Sequence, residues 1–270
     1  MSEFSQQLID RSGYLESGFP DIYDRFRPAP PREVLEILAW LCGVERPRLV
    51  VDFGSGTGLA TRAWAELADE VVGVEANPRM IERARETRPA PNVRYVEAYA
   101  AETGLPAGEA DVVTSFQAFH WMEPQPALAE AARLLRDGGV FAAVDYDAVP
   151  VVLPEVDAAF MTLNRARHDA RERLSLPAGA STRPKEHHVD QIHASDRFRY
   201  ARELVAHAWA ETDAEQLIGL AESIGGPRDL FTEAPEVDAA FAEAAATTKR
   251  VLGDGTWPMV RCYRIRVGIK

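Results

Sequence analysis

Asp52, Gly54, Ser55, Gly56 and Gly58 form a D-x-G-x-G-x-G run directly after the apolar Leu49-Val50-Val51. The apolar triplet suits a buried parallel strand, and the glycines suit a tight turn into a helix. Backbone N–H groups at such a helix start can meet a carboxylate, with the positive end of the helix dipole behind them. Asp52, at the strand end, can accept from an ammonium group. Together these features suit a ligand with an amino-acid end. A pyrophosphate turn needs G-x-G-x-x-G, and Leu59 stands where its last glycine would be. No Lys follows, so the turn is not a phosphate-binding P-loop either. The plain alternative is a tight strand–helix turn that holds nothing. Glu75 ends a second apolar run, Val71–Val74, twenty-three residues after Asp52. A carboxylate there can accept both hydroxyls of a ribose, a geometry shared with nicotinamide enzymes, or can simply be a solvated strand-end acid.

A second cluster, Ser115–Trp121, follows a fourth apolar run and contains Gln117, Phe119, His120 and Trp121. Aromatic faces and main-chain oxygens suit a sulfonium cation. His120 has a side chain that titrates near neutrality, so it is the candidate general base; the alternative is a structural hydrogen bond. The segment Val50–Gly58, Glu75 and Gln117-Ala118-Phe119-His120-Trp121 together resemble a class I S-adenosylmethionine-dependent methyltransferase. The nearest subgroup is the small-molecule type that includes trans-aconitate methyltransferase-like enzymes. The resemblance covers residues 20–146 well and the rest in outline.

That resemblance implies S-adenosylmethionine as cofactor and S-adenosylhomocysteine as product. It implies cofactor contacts from Asp52, Gly54, Ser55, Gly56, Gly58, Glu75, Ala76, Met80, Tyr99, Ala100, Ala101, Ser115, Phe116 and Gln117. Met80 can equally be helix core. The family carries an acid where Ala101 stands, so backbone contacts from Ala100 and Ala101 would replace it, with Tyr99 stacking on the base or packing the loop. Catalysis would fall to His120 and Gln117. The acceptor would meet Tyr23, Phe119, His120, Trp121 and Arg165. Arg165 belongs to a basic series with Arg167, Arg171, Arg173, Arg183 and Lys185 that can hold an anionic acceptor or form a solvated face. His187, His188 and His193 lack a metal-binding pattern, so no metal is expected.

The elements that must position these groups alternate. Strands are expected at 49–53, 71–75, 93–96, 110–115 and 140–145, with helices near 58–68, after Asn77-Pro78 and near 125–136, the last ending at Gly138-Gly139. A first helix follows Pro30-Pro31 and ends at Gly43. This rhythm predicts an α/β fold: a seven-stranded, mostly parallel Rossmann-like sheet with helices on both faces and a helical lid. Ligands bind such sheets at the carboxyl ends of the strands, beside the first one. After Tyr146 a helix is expected over 154–174 and an irregular polar stretch over 175–191. A sixth strand follows at 199–209. Thr212 and Glu215 read as a capping box for a helix that ends at Gly225-Gly226. Pro235 opens another helix to Gly253, and residues 259–269 form the last strand. The expected organisation is therefore an N-terminal cap and first helix (1–48), a cofactor-binding core (49–146), a lid insertion (147–198), a core strand (199–209), lid helices (210–256) and a last core strand (257–270).

The bulk properties set limits. The net charge is −12 and the pI about 5.0, which argues against a broad nucleic-acid footprint. No apolar run reaches membrane-spanning length and the N-terminus lacks a signal-peptide layout. Cys42 and Cys262 read as free thiols, consistent with a cytoplasmic protein. The expected partner is a small-molecule substrate, with no nucleic acid and no membrane, in a monomer or homodimer. The reading is O-methylation of a carboxylate or hydroxyl; the alternatives are an RNA nucleoside methyltransferase and a non-catalytic S-adenosylmethionine-binding protein.

Overall fold

A computed structural model describes residues 19–174, 184–224 and 234–270. The N-terminal aromatics Phe4 and Tyr14, Arg183, and the expected helix stop at Gly225-Gly226 lie outside the described residues. The chain forms two compact units. One comprises residues 1–27, 146–181 and 207–262, and the other 28–145, 182–206 and 263–270.

The second unit holds most of the sheet. In chain order the elements of both units begin with α1 (Phe19–Phe26) and α2 (Arg32–Leu41). Then come β1 (Leu49–Phe53), α3 (Leu59–Ala63), β2 (Glu70–Glu75), α4 (Pro78–Glu86), β3 (Val93–Glu97) and β4 (Ala110–Phe116). They are followed by α5 (Pro124–Leu134), β5 (Leu135–Tyr146), α6 (Pro154–Arg173), α7 (His188–Ala194) and β6 (Tyr200–Thr212). The chain closes with α8 (Ala214–Ile224), α9 (Pro235–Leu252) and β7 (Trp257–Ile269). The seven strands run in the order β3-β2-β1-β4-β5-β7-β6, and β3, β2, β1, β4 and β5 are parallel. β7 runs antiparallel to β5. Gly138 N–H donates to Lys270 O, and Asp147 N–H donates to Cys262 O at the far end. The chain leaves β1 first toward β3 and then toward β5, so the carboxyl ends of β1, β2 and β4 meet at a switch point.

The interior follows from strand composition. Val51, Phe53, Val72, Val74, Val113, Phe141 and Ala143 are fully buried and pack with Leu128, Ala131 and Leu134 of α5. Such near-continuous apolar strands belong to a parallel sheet covered on both faces. Asp111 pins the amino end of β4: its carboxylate accepts from the N–H groups of Arg48 and Leu49 and from Arg136 Nε. The first unit has its own core. Val156, Phe160 and Leu163 of α6 meet Leu217 and Ala221 of α8 and Val237, Ala244 and Leu252 of α9.

Several expectations are corrected. The helix expected near 58–68 is one short turn and a half, Leu59–Ala63, followed by turns. β5 starts at Leu135 and takes Gly138-Gly139 into the strand, where Gly139 and Gly138 bond to Lys270. The stretch expected to be irregular over 175–191 contains the start of α7, because Ile192 and His188 are buried against the sheet core. Residues 182–198 accordingly group with the sheet unit rather than with 147–181. The cap of α8 is Asp213, whose carboxylate accepts from Gln216 N–H; Thr212 is the last strand residue. Cys42 and Cys262 are not joined to each other.

Leu128 is fully buried between α5 and the sheet. Leu128→Ala should cost about 2–5 kcal/mol in urea unfolding, whereas Met161→Ala, at an exposed position of α6, should change stability by less than about 0.5 kcal/mol. Equal losses at the two positions would contradict the core assigned here.

Candidate active site

The turn after β1 is built by packing as much as by backbone freedom. A Cβ on Gly54 would stand 2.6 Å from Ala118 Cβ, and one on Gly58 would stand 2.2 Å from Tyr95 Oη. Both glycines are therefore required by their neighbours. Gly56 differs: its φ is +54°, a left-handed value that favours glycine, and a Cβ there would meet nothing within 4 Å. Open space thus begins at Gly56.

The backbone of this turn is satisfied internally. Gly54 and Ser55 N–H both donate to Val74 O, Gly58 N–H donates to Ser55 O, and Gly56 N–H donates to Glu75 Oε2 at 2.8 Å. The three glycine N–H groups expected to face a ligand carboxylate are engaged within the protein: those of Gly54 and Gly58 by Val74 O and Ser55 O, and that of Gly56 by the Glu75 side chain. Glu75 spans the site, because its Oε1 accepts from Asn77 N–H at 2.8 Å. Burial pushes its carboxyl upward, against the backbone N–H groups of Asn77, Gly56 and Ala76 that favour the anion.

Asp52 is also corrected. It is 1% exposed, and both oxygens are taken: Thr61 Oγ1 donates to Oδ2 at 2.7 Å and Thr114 Oγ1 to Oδ1 at 3.0 Å. The carboxylate ties α3 and β4 to the end of β1 instead of facing an ammonium. Burial pushes its pKa up to about 7, and the Glu75 charge adds to this. Two neighbouring hydroxyls, Ser55 Oγ and Ser115 Oγ, are buried and have no hydrogen-bond partner among the described residues. They are polar groups still available at the cradle.

The remaining expected residues divide. Met80 is 4% exposed, on the buried face of α4. Ala76, Tyr99, Ala100 and Phe116 are half-buried, and Ala101 is exposed. Tyr99 bridges to Glu102 within its own loop, and Ala98 N–H donates to Glu75 O, which sets that loop beside β2. Phe119 is 1% exposed; its ring meets Phe141 edge-on at 5.3 Å and His188 at 4.9 Å. It packs in the core of the sheet unit. In the first unit Tyr23 has the Arg27 guanidinium over its ring at 5.0 Å. Arg165 is exposed on α6, while Arg167, two residues on, is buried.

The carboxyl ends of β4 and β5 carry a charged cluster that the sequence reading missed. Asp145, 4% exposed at the end of β5, receives Arg266 Nη1 at 2.9 Å and Lys185 Nζ at 2.8 Å. His120 Nδ1 lies 3.6 Å and His188 Nδ1 3.4 Å from its two oxygens. Burial alone would raise the Asp145 carboxyl. The His188 contact and the charges of Lys185 and His120 outweigh it and hold the group well below the usual carboxylate range. Lys185 Nζ also donates to Gln117 Oε1 at 2.6 Å. Gln117 adopts φ +52°, a strained conformation for a side-chain-bearing residue and one that clusters at functional sites. His120 is 7% exposed beside Trp121 at 5.6 Å and His188 at 6.4 Å. A signal existed: an acid closing the apolar run Val140–Val144 marks a strand end. No signal announced His188 or Arg266 as its partners. Among the described residues no three His, Cys, Asp or Glu side chains converge as a metal site.

The raised Asp52 pKa has a pH signature. Its folded value lies above the ordinary 3.8, so its contribution to stability is full below about pH 4 and is lost as pH rises through about 7. Ligand-free protein should lose up to about 4 kcal/mol across that window through this group, whereas Asp52→Asn should remove the slope. Urea unfolding at pH 4.5, 6 and 7.5 measures both, and parallel curves for the two proteins would refute the assignment.

Residues 51–143 match the family model described as "Methyltransferase domain". A Dictyostelium discoideum protein named as a methyltransferase is 36% identical over 117 residues, 43% of this chain and 43% of that relative. The chain thus spans less than half the length of this curated relative. A structure from Anaeromyxobacter dehalogenans, described as a candidate type II methyltransferase, is 27% identical with a TM-score of 0.67, covering 90% of this chain and 98% of that one. A phosphoethanolamine N-methyltransferase of Haemonchus contortus, solved with phosphomonomethylethanolamine and S-adenosylhomocysteine, shares the fold at 16% identity and TM-score 0.58, covering 100% of this chain and 60% of that one. The glycine turn after β1 and the acid closing β2 lie within the stretch, residues 51–143, that matches a methyltransferase domain, and the seven-stranded sheet around them is similar to that of the solved methyltransferase structures.

Proposed function

We propose that this chain is an S-adenosylmethionine-dependent methyltransferase that acts on a small molecule, by O-methylation of a carboxylate or hydroxyl. The observation that carries the proposal is the open space at Gly56, bordered by Glu75 and by the unpartnered hydroxyls of Ser55 and Ser115. The glycine turn and these side chains fit the cofactor, and Ala76, Tyr99, Ala100, Ala101, Phe116 and Gln117 complete the set that would hold it. The cofactor supplies a methyl group on a cationic sulfur, already activated for transfer.

The protein's own task is to orient the acceptor, keep water out and move a proton where the acceptor has one. Glu75 is suited to the ribose hydroxyls, for which it would exchange its bond to Gly56 N–H. Gln117 is fixed by Lys185, and Lys185 by Asp145, so a polar group at the end of β4 is held in one orientation. His120, with Asp145 beside Nδ1, is placed to act as a base from its other nitrogen toward a hydroxyl or amine. A carboxylate acceptor would need no base. The resemblance of Gln117–Trp121 supports the trans-aconitate methyltransferase-like subgroup. The net charge of −12 works against an RNA nucleoside acceptor. A non-catalytic cofactor-binding protein would bind S-adenosylmethionine without turnover. A cytoplasmic monomer or homodimer is the accompanying proposal.

Two measurements test this reading. Calorimetry should give binding of S-adenosylhomocysteine and none of nicotinamide dinucleotides. Gly56→Val should abolish that binding, and Glu75→Ala should weaken it by about 1–3 kcal/mol. Preference for a dinucleotide would end the proposal. With a hydroxyl or amine acceptor, His120→Ala and His120→Gln should each lower single-turnover methyl transfer by roughly 10²–10⁴, with cofactor affinity nearly intact. Near wild-type rates in both variants would remove His120 as the base.

A further inference from the structure

Two buried guanidinium groups of the first unit have no ion-pair partner among the described residues. Arg167 of α6 is 9% exposed and Arg261 of β7 is 6% exposed. Arg167 Nη2 donates to Ala221 O at 3.0 Å, and its Nε has no acceptor. Arg261 Nη2 reaches the thioether of Met259 at 3.6 Å, and its Nε also has no acceptor. Among the described residues neither forms an ion pair. Arg266, buried to the same degree in the other unit, pairs with two carboxylates, Asp145 and Glu203. A buried guanidinium without a counter-charge is costly, and a bound anion removes that cost.

The two groups belong to one cluster. Arg261 lies over the Tyr146 ring, 5.2 Å from its centroid, and Arg27 Nη1 donates to the Tyr146 hydroxyl at 2.8 Å. Arg27 Nη2 donates to Ser223 O at 2.7 Å, two residues from the carbonyl that Arg167 holds. Burial and the neighbouring charges of Arg171 and Arg27 push the Arg167 pKa down to about 10, so it stays cationic at neutral pH. The carbonyls at the end of α8 offer only partial negative charge. Two whole positive charges, on Arg167 and Arg261, therefore remain, in a fork chemistry that matches planar or tetrahedral oxyanions.

We propose that Arg167 and Arg261, joined through Tyr146 and Arg27, bind an anionic oxygen group of the methyl acceptor, a carboxylate or a phosphate. Naming that ligand the acceptor rests on the methyltransferase reading; the anion site itself does not.

The test is thermal unfolding of the full chain with inorganic phosphate or succinate, at ionic strength held constant with sodium chloride. Wild type should show a Tm rise that saturates with one of the two anions, and which anion it is separates phosphate from carboxylate acceptors. Arg167→Met and Arg261→Met should match or exceed the wild-type Tm without anion, and each should weaken the anion response at least roughly tenfold. Arg167→Lys and Arg261→Lys keep the charge but lose the fork, and should retain a weakened response even where the methionine variants fail to fold. Absence of any anion-specific rise in wild type overturns the proposal, as does an undiminished rise in the lysine and methionine variants. S-adenosylhomocysteine binding, measured by calorimetry on the same proteins, should be unchanged. Its absence in wild type beside a clear anion response would sink the methyltransferase reading and leave the anion site standing.

Discussion

One buried carboxylate organises the sheet unit. Asp145 closes β5 at a depth where an unpaired anion would be untenable, so its environment must supply cations and donors. It draws them from three separate parts of the chain: Lys185 and His188 from the segment leading into α7, Arg266 from β7, and His120 from the turn after β4. Each partner constrains its own element. Arg266 also binds Glu203 of β6, which extends the network to the edge of the sheet. Removing Asp145 would leave the buried Arg266 with Glu203 as its remaining carboxylate, so the group acts as a unit.

Asp52 shows the opposite solution two strands away. It too is buried at a strand end, but hydroxyls surround it in place of cations. Hydroxyls stabilise a carboxylate less than charges do, and burial wins, so its pKa rises while that of Asp145 falls. The two acids thus do different work. Asp145 is a fixed anion that sets the orientation of Lys185, through it Gln117, and the imidazole of His120. Asp52 is a structural tie whose charge is adjustable near neutrality, placed directly under the turn where open space begins.

The sequence made the sheet legible because its strands are near-continuous apolar runs ending in glycine or acid, as with Val50–Gly54 and Val71–Glu75. The turn was legible through spacing alone. Orientation was not. Nothing in the order of residues says that Asp52 points at Thr61 and Thr114, or that the glycine N–H groups turn toward Val74 O and Glu75. Phe119 and His120 are neighbours in an aromatic run, yet one faces the core and the other faces Asp145. Their separation depends on the 3₁₀ turn over Phe119–Trp121, which periodicity does not reveal. The start of α7 was missed for a related reason: only His188, Val189 and Ile192 could mark a buried face in a polar stretch, and a histidine reads as polar.

The proposed anion site does not depend on a long-range field. A chain of net charge −12 repels anions at a distance, so electrostatic steering cannot gather an anionic acceptor. Recognition must come from short-range, desolvated contacts, where a guanidinium fork gains most. Arg167 and Arg261, buried without carboxylates, are what such recognition needs: they are already desolvated and already oriented by Ala221 O and the Tyr146 ring. The cost of keeping them unpaired falls on the free protein and is recovered on binding, which makes the occupied state the more stable one. A surface series such as Arg165 and Arg173 lacks this property, since water already solvates each group and an arriving anion must displace it.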